Sequence, residues 1–227
     1  ALRRLYKHNG ETIVGRVESG AFSDRELQAI DYSIRIARGH YLFSRCWLLV
    51  EGESDFHLMP LLFELMGHSQ DQVSFSVLEI SQVIDKGVPL IRFARALGIQ
   101  WFLMVDGDHA GNECLNRASN HLATGETLAD RARALTHADI EHEFWSNGFD
   151  DFIENMVTNT RKYQIATEAA GDNSRKTELL IKAAIKQSGG KPAFAQVLVN
   201  EVQQRGVGSI PQTIRDIITH VVQLAGG

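Results

Sequence analysis

Apolar residues recur along this chain with two different periods, and the alternation between them outlines its elements. In residues 23–38 (SDRELQAIDYSIRIAR), Leu27, Ile30, Ile34 and Ala37 stand three to four positions apart behind a Ser or Asp cap, with Glu26 in the first turn and Gly39 following. That spacing predicts an amphipathic helix. Residues 46–50 (CWLLV) are apolar without alternation, too short for a helix, and closed by Glu51-Gly52. This is the pattern of a strand buried on both faces of a parallel sheet. A helix is expected from about Ser54 to Met66, ended by Gly67, and then the order repeats: strand 73–80 (VSFSVLEI), helix 87–98 (GVPLIRFARALG), strand 100–105 (QWFLMV). Strand, helix, strand, helix, strand is a βαβαβ unit, in which ligands bind where loops leave the carboxyl ends of the strands.

Before this unit, Glu11-Thr12-Ile13-Val14-Gly15-Arg16-Val17 alternates as one piece of a hairpin or edge strand does. After it, residues 112–135 are polar and Ala-rich with helical spacing, and His137 to Phe144 offers one more strand. From Phe152 onward helices are expected over 160–170, 174–188, 191–204 and 211–224, separated by Gly-Asp-Asn, Gly-Gly and Gly-Val-Gly-Ser breaks. The expected architecture is α/β: a parallel sheet flanked by helices, with an additional mostly helical C-terminal domain. Its expected divisions are 1–40, a hairpin and helix packing on the core; 41–150, the domain of the parallel sheet; and 151–227, the helical domain.

Composition changes this picture little: 227 residues, 44% hydrophobic and 22% charged, suffice for one sizeable core. No run approaches the roughly 18 apolar residues of a membrane span, and the start lacks a secretory signal's apolar stretch, so the expectation is a cytoplasmic protein without a membrane partner. Two cysteines, Cys46 and Cys114, read as free thiols. The net charge of −5 argues against bulk electrostatic binding of nucleic acid. Positive residues gather, however, at Arg3, Arg4 and Lys7, at Arg131 and Arg133, and from Arg161 to Lys191, which leaves room for a polyanionic substrate. The start, without Met and entering at once into structured sequence, is expected to belong to a fragment of a longer protein.

Charge matters most at two places. Glu51-Gly52-Glu53-Ser54-Asp55 turns from the first buried strand into a helix, and Asp106-Gly107-Asp108 stands in the same position after the third. Taken singly, Asp55 reads equally as a helix cap and Asp-Gly-Asp as a surface turn. Taken together, Glu51, Asp55, Asp106 and Asp108 would meet at one sheet edge and repel one another without a cation, and hard divalent ions such as magnesium or manganese prefer such oxygen ligands.

These residues carry a resemblance. Glu51-Gly52 with Asp55, then Asp106-Gly107-Asp108, resembles the glutamate and DxD motifs of the TOPRIM domain, and LLVEGESD, FLMVDGDHAGN and the helical end resemble the C-terminal region of OLD (overcoming lysogenization defect) family nucleases over residues 42–112. The resemblance implies a TOPRIM-like sheet, a preceding ATPase domain in the parent chain, and two-metal cleavage of DNA by two Mg2+ or Mn2+ ions, assisted by a later lysine. It makes Glu51 and Asp55 ligands of one metal, with Asp106 and Asp108 bridging to or holding the second. A further acid is expected after the DxD motif: Glu141 first, with Glu143 and Glu154 behind it. Lys191, after Gly189-Gly190, is the candidate for neutralising charge on the scissile phosphate, a role that leaves no local signature. Ser81 and Lys86, after the second strand, are candidates to face the site. A homodimer is open, and phage defence or DNA repair is a family-level expectation.

Other chemistry finds less support. His109 has no second ligand at zinc spacing, and no phosphate-binding GxxxxGK[ST] loop is present. The tyrosines Tyr6, Tyr32, Tyr41 and Tyr163 sit in structural contexts, which favours a hydrolase over a topoisomerase. Two alternatives stay open: a DxD-type phosphatase, although His109-Ala110 replaces its usual threonine, and a regulatory or dimerisation module that binds a structural cation.

Overall fold

The computed structural model describes residues 2–8, 10–36, 39–81 and 83–226. The chain opens with an antiparallel hairpin of β1 (Arg3–His8) and β2 (Glu11–Arg16), which realises the alternation at residues 11–17. Helix α1 (Asp24–Ile36) starts where the Ser23 hydroxyl and Glu26 carboxylate cap each other; Ala37 and Arg38, also expected in this helix, lie outside the described residues. Then follow β3 (Cys46–Val50), α2 (Glu53–Leu65), the single turn α3 (Gln70–Val73), β4 (Phe75–Glu79), α4 (Val88–Ala96), β5 (Gln100–Val105), α5 (His109–Ser119) and β6 (Ala132–Ala134). The rest is helical: α6 (Ile140–Phe144), α7 (Asp150–Asn155), α8 (Asn159–Ala169), α9 (Asn173–Ser188), α10 (Lys191–Arg205) and α11 (Gln212–Leu224). Among the described residues no helix is long and apolar enough to cross a membrane.

β3 to β6 form one parallel sheet in the order β4-β3-β5-β6. The two most apolar strands are therefore neighbours, registered Cys46 to Gln100 through Val50 to Met104. Both of their faces are buried, as the absence of alternation predicted. Trp47, Leu49, Trp101, Leu103 and Val105 join a cluster with residues of α1, α4 and α5, whereas Cys46, Leu48, Val50, Phe102 and Met104 join a second cluster with α2 and the C-terminal helices. That second cluster runs without a break from Leu48 and Phe102 to Leu198 and Ile217, so the terminal helices complete one face of the sheet. α10 lies on α2, and α11 on β3 and β5.

Three sequence expectations are corrected. The strand expected at 73–80 begins only at Phe75, because Ser69 caps the turn that ends at Val73 and Ser74 adopts φ 61°. The helical reading of 112–135 holds only to Ser119; the sheet's fourth strand is Ala132–Ala134, paired with β5. Three residues carry too little pattern to betray a strand. Residues 137–144 form no strand: the Asp139 carboxylate accepts from the His142 N–H at 2.8 Å and caps α6. Capping by an Asp followed by Glu in the first turn prevails over the apolar alternation.

The hairpin is fastened to the turn before β5 by one cation. The half-buried Arg4 guanidinium donates to the carbonyls of Leu42 (3.1 Å), Ser44 (3.0 Å), Leu97 (3.2 Å) and Gly98 (3.1 Å). Gly15 lies so close that a Cβ there would stand 2.6 Å from the Leu97 carbonyl carbon. Arg4→Met strips four carbonyls of a charged donor and should cost about 2 kcal/mol, a Tm decrease of about 4–8 °C in thermal unfolding. An unchanged Tm would show that the hairpin rests on its apolar contacts alone.

Candidate active site

The adjacent ends of β3 and β5 each turn into a helix. After Val50, the Asp55 carboxylate in the first turn of α2 accepts the Gly52 N–H at 3.0 Å. After Val105, Asp108 accepts the Gly111 N–H at 2.8 Å and caps α5. The two loops are tied together by the Glu51 carboxylate, which accepts the Asp106 N–H at 3.1 Å. Glycine is required in the second loop by close approach: a Cβ would stand 2.3 Å from the His137 carbonyl oxygen at Gly107, and 2.0 Å from that of Asp106 at Gly111.

A third loop, between β6 and α6, joins them. The Ser54 hydroxyl donates to the buried Glu141 carboxylate at 2.5 Å, and Asp139 hydrogen-bonds the His142 ring at 2.6 Å. With Lys191, the first residue of α10, these groups line a cavity of about 500 Å³ that also holds Asp55 and Asp106.

The cavity is crowded with carboxylates taken from water. Burial first, then Asp106 and Glu141, raises the Asp55 carboxyl well above its ordinary range. Asp106 is pushed up to about 7 by burial, then by Glu51, Asp139, Asp108 and Glu141. Glu141 is raised by burial and by Asp139, against the lowering effect of the Ser54 hydrogen bond. Asp139 behaves oppositely: burial raises it, but hydrogen bonds from the His142 ring and N–H outweigh burial and hold it below the usual value. The same contact raises His142. Lys191 draws both Asp139 and Glu141 downward.

Of the buried side-chain oxygens and nitrogens described, only Asp55 Oδ1 lacks a hydrogen-bond partner. An unpartnered, desolvated carboxylate oxygen beside other carboxylates fits a hard divalent cation. Among the described residues, no three His, Cys, Asp or Glu side chains form a ready-made group that could hold a metal ion. The donor set therefore suits an ion that takes one or two carboxylates and completes its shell with water and substrate oxygens, as magnesium commonly does.

The structure thus brings Asp55, Asp106, Glu141 and Lys191 to one cavity. Glu51 stands behind it, with its Oε1 3.9 Å from Lys86 Nζ and 3.7 Å from Cys114 Sγ. Asp108 is exposed and outside the cavity lining. Glu143, buried, accepts from the Thr136 and His137 N–H groups, each at 3.0 Å, and holds their loop in place. Glu154, on α7, does not line the cavity, and His109 is exposed beside Glu113. Sequence reasoning missed Ser54, Asp139 and His142. The signal for the last two was the Asp cap of a short helix, hidden inside a stretch read as a strand.

Three kinds of comparison with known proteins give matches. Residues 42–108 match the family described as overcoming lysogenization defect protein-like, TOPRIM domain. Escherichia coli (strain K12) YbjD, an uncharacterized protein, is 33% identical over 225 residues, 99% of this chain; the chain spans 38% of that relative's length. Among solved structures, the C-terminal region of the Xanthomonas campestris pv. campestris OLD protein superposes with TM-score 0.62 at 17% identity, covering 83% of this chain and 97% of that one. The C-terminal region of the Burkholderia pseudomallei OLD protein gives TM-score 0.60 at 21% identity, over 81% and 99% respectively. At these identities the structural likeness is one of fold.

Proposed function

We propose that the chain, whose residues 42–108 match the TOPRIM domain of overcoming lysogenization defect-like proteins, is the metal-dependent nuclease part of a longer protein, cleaving DNA phosphodiester bonds with two magnesium or manganese ions. The observation that carries this reading is the unpartnered Asp55 oxygen in a cavity shared with Asp106, Glu141 and Lys191. Two divalent ions would supply activation of the attacking water and stabilisation of the leaving oxygen.

The chain's own residues position these events. Asp55, Asp106 and Glu141 offer oxygens into the cavity. Asp108 gives one carboxylate oxygen to a backbone N–H, which fixes the group and leaves its other oxygen for a cation at the rim, whereas Glu51 ties the two loops through the Asp106 N–H and turns its Oε1 to Lys86 and Cys114. Ser54 orients Glu141. Asp139 holds the His142 ring by its Nδ1. Lys191, entering from α10, places its ammonium against the scissile phosphate, where it offsets the charge that grows during cleavage.

DNA is thus the proposed substrate and an ATPase domain the proposed neighbour in the parent chain, with phage defence as the proposed setting. The test is incubation of the purified chain with supercoiled and linear DNA in magnesium, manganese, calcium or EDTA. Nicking that needs magnesium or manganese and stops in EDTA supports the nuclease; no cleavage under any metal refutes it for this chain alone, and hydrolysis of a phosphomonoester instead points to a phosphatase. Lys191→Ala is expected to cut about 10²-fold more slowly at saturating metal. Cleavage at the wild-type rate would remove Lys191 from the mechanism.

A further inference from the structure

A second cleft opens on the far side of Glu51 from the acidic cavity. It has a volume of about 460 Å³ and is lined by Glu51, Ile80, Ser81, Asp85, Lys86 and Arg117. Its floor is built from an unusual backbone. Asp85 (φ 52°, ψ 38°) and Lys86 (φ 54°, ψ 40°) are consecutive left-handed residues, and Gly87 (φ 83°) follows. The described residues contain only two other non-glycine residues with positive φ, Ser74 and Ala170. Two adjacent side chains in this region store strain that persists only where the surroundings impose it, and such strain concentrates at functional sites.

The surroundings here are specific. Arg117, on α5, forms an ion pair with Asp85 and so clamps the turn. The turn in consequence delivers the Lys86 ammonium to 3.9 Å from Glu51 Oε1, the outer limit of an ion pair. Glu51 itself is bonded to the Asp106 N–H, so a single hydrogen bond separates this cleft, where Lys86 and Arg117 face Glu51 and Asp85, from the acidic cavity. Two cations, both partly open to solvent, therefore stand beside a site that would act on a phosphodiester, at the carboxyl edge of β3 and β4.

We propose that this cleft is a second phosphate subsite, in which Lys86 and Arg117 hold the DNA backbone phosphate next to the one being cleaved. The inference rests on the nuclease reading for its substrate, but not for its geometry. Lys86 supplies a point charge, and Arg117 a planar fork that matches two phosphate oxygens. Were Glu51 Oε1, now 3.9 Å from Lys86 Nζ and 3.7 Å from Cys114 Sγ, to take a cation, Lys86 would be free for the phosphate. The strained turn fixes the distance between the two subsites and so sets which bond lies in the acidic cavity.

Lys86→Gly separates binding from folding, because glycine takes φ 54° without a Cβ penalty. The variant should have a Tm equal to or above that of the wild-type chain. In fluorescence anisotropy with labelled DNA in calcium, it should bind about 5–10-fold more weakly, with a salt dependence shallower by about one phosphate contact. Arg117→Gln should weaken binding in the same direction. Unchanged affinity and salt slope in Lys86→Gly, with or without an altered metal requirement, would overturn the subsite and leave Lys86 as a counter-ion of Glu51. Failure of the wild-type chain to bind DNA would overturn it as well. The two readings fail separately. Lys86-dependent binding without cleavage in any metal keeps the subsite and refutes the nuclease, whereas cleavage indifferent to Lys86 keeps the nuclease and removes the subsite.

Discussion

Asp106→Ala is expected to abolish metal-dependent nicking of supercoiled DNA, by on the order of 10³-fold, while the chain stays folded. Asp106 is the carboxylate at which the whole cluster meets: besides burial, Glu51, Asp139, Asp108 and Glu141 all act on it. It lies in the acidic cavity, while its N–H is bonded to Glu51 on the other side. Removing it would deprive the proposed cation of a ligand and break the electrostatic link between the two halves of the site. The fold should survive, because the substitution relieves repulsion among carboxylates that share little solvent, and the tie from the residue-106 N–H to Glu51 belongs to the backbone. Plasmid nicking in magnesium and manganese, measured beside thermal unfolding, checks both halves of the expectation. Nicking at the wild-type rate would show that the chemistry is centred elsewhere.

The elements that carry Asp106 were legible because a strand buried on both faces leaves an unmistakable trace. CWLLV and QWFLMV were bounded to the residue, and the acidic turns that end them were placed at neighbouring strand ends. Legibility failed where structure is made by partners. β6 is three residues long and exists as a strand through its pairing with β5. Asp139 and His142 sit on a one-turn helix whose cap was concealed by apolar alternation. Glu141 was named ahead of Glu143 and Glu154, but the sequence could not separate them. What separates them is tertiary: Ser54 reaches Glu141, whereas the 136–137 loop turns Glu143 inward. Lys191 comes from a helix 140 residues beyond Glu51, a distance that no local pattern spans. Asp55, finally, is a helix cap as the plainer reading had it and reaches the cavity as well, whereas Asp108, read there as part of a surface turn, caps α5. Capping fixes one oxygen and leaves the second.

That second oxygen makes Asp55→Asn the sharper test of the metal reading. Without metal, the variant should be more stable than the wild-type chain at pH 8, by about 1–2 kcal/mol, or about 2–8 °C in Tm. The sign follows from the direction of the shifts. Asp55 and Asp106 are both raised in the folded chain, the latter to about 7. Between the ordinary carboxylate value near 4 and these raised values, the folded chain binds protons that the unfolded chain has lost, so wild-type stability falls as pH rises through this window. As pH falls from 8 through this window, the raised Asp55 carboxyl takes up its proton earlier in the folded chain than in the unfolded one, and the gap between the two proteins should narrow. At pH 8 magnesium or manganese should raise the wild-type Tm by supplying the missing partner of Asp55 Oδ1, and should raise that of the variant less. The amide retains an oxygen for the Gly52 N–H, so the cap itself survives the change. A variant less stable than wild type at pH 8 without metal, and equally responsive to magnesium, would mean that the Asp55 carboxylate serves α2 alone and that the cavity's cation, if it takes one, is held by other residues.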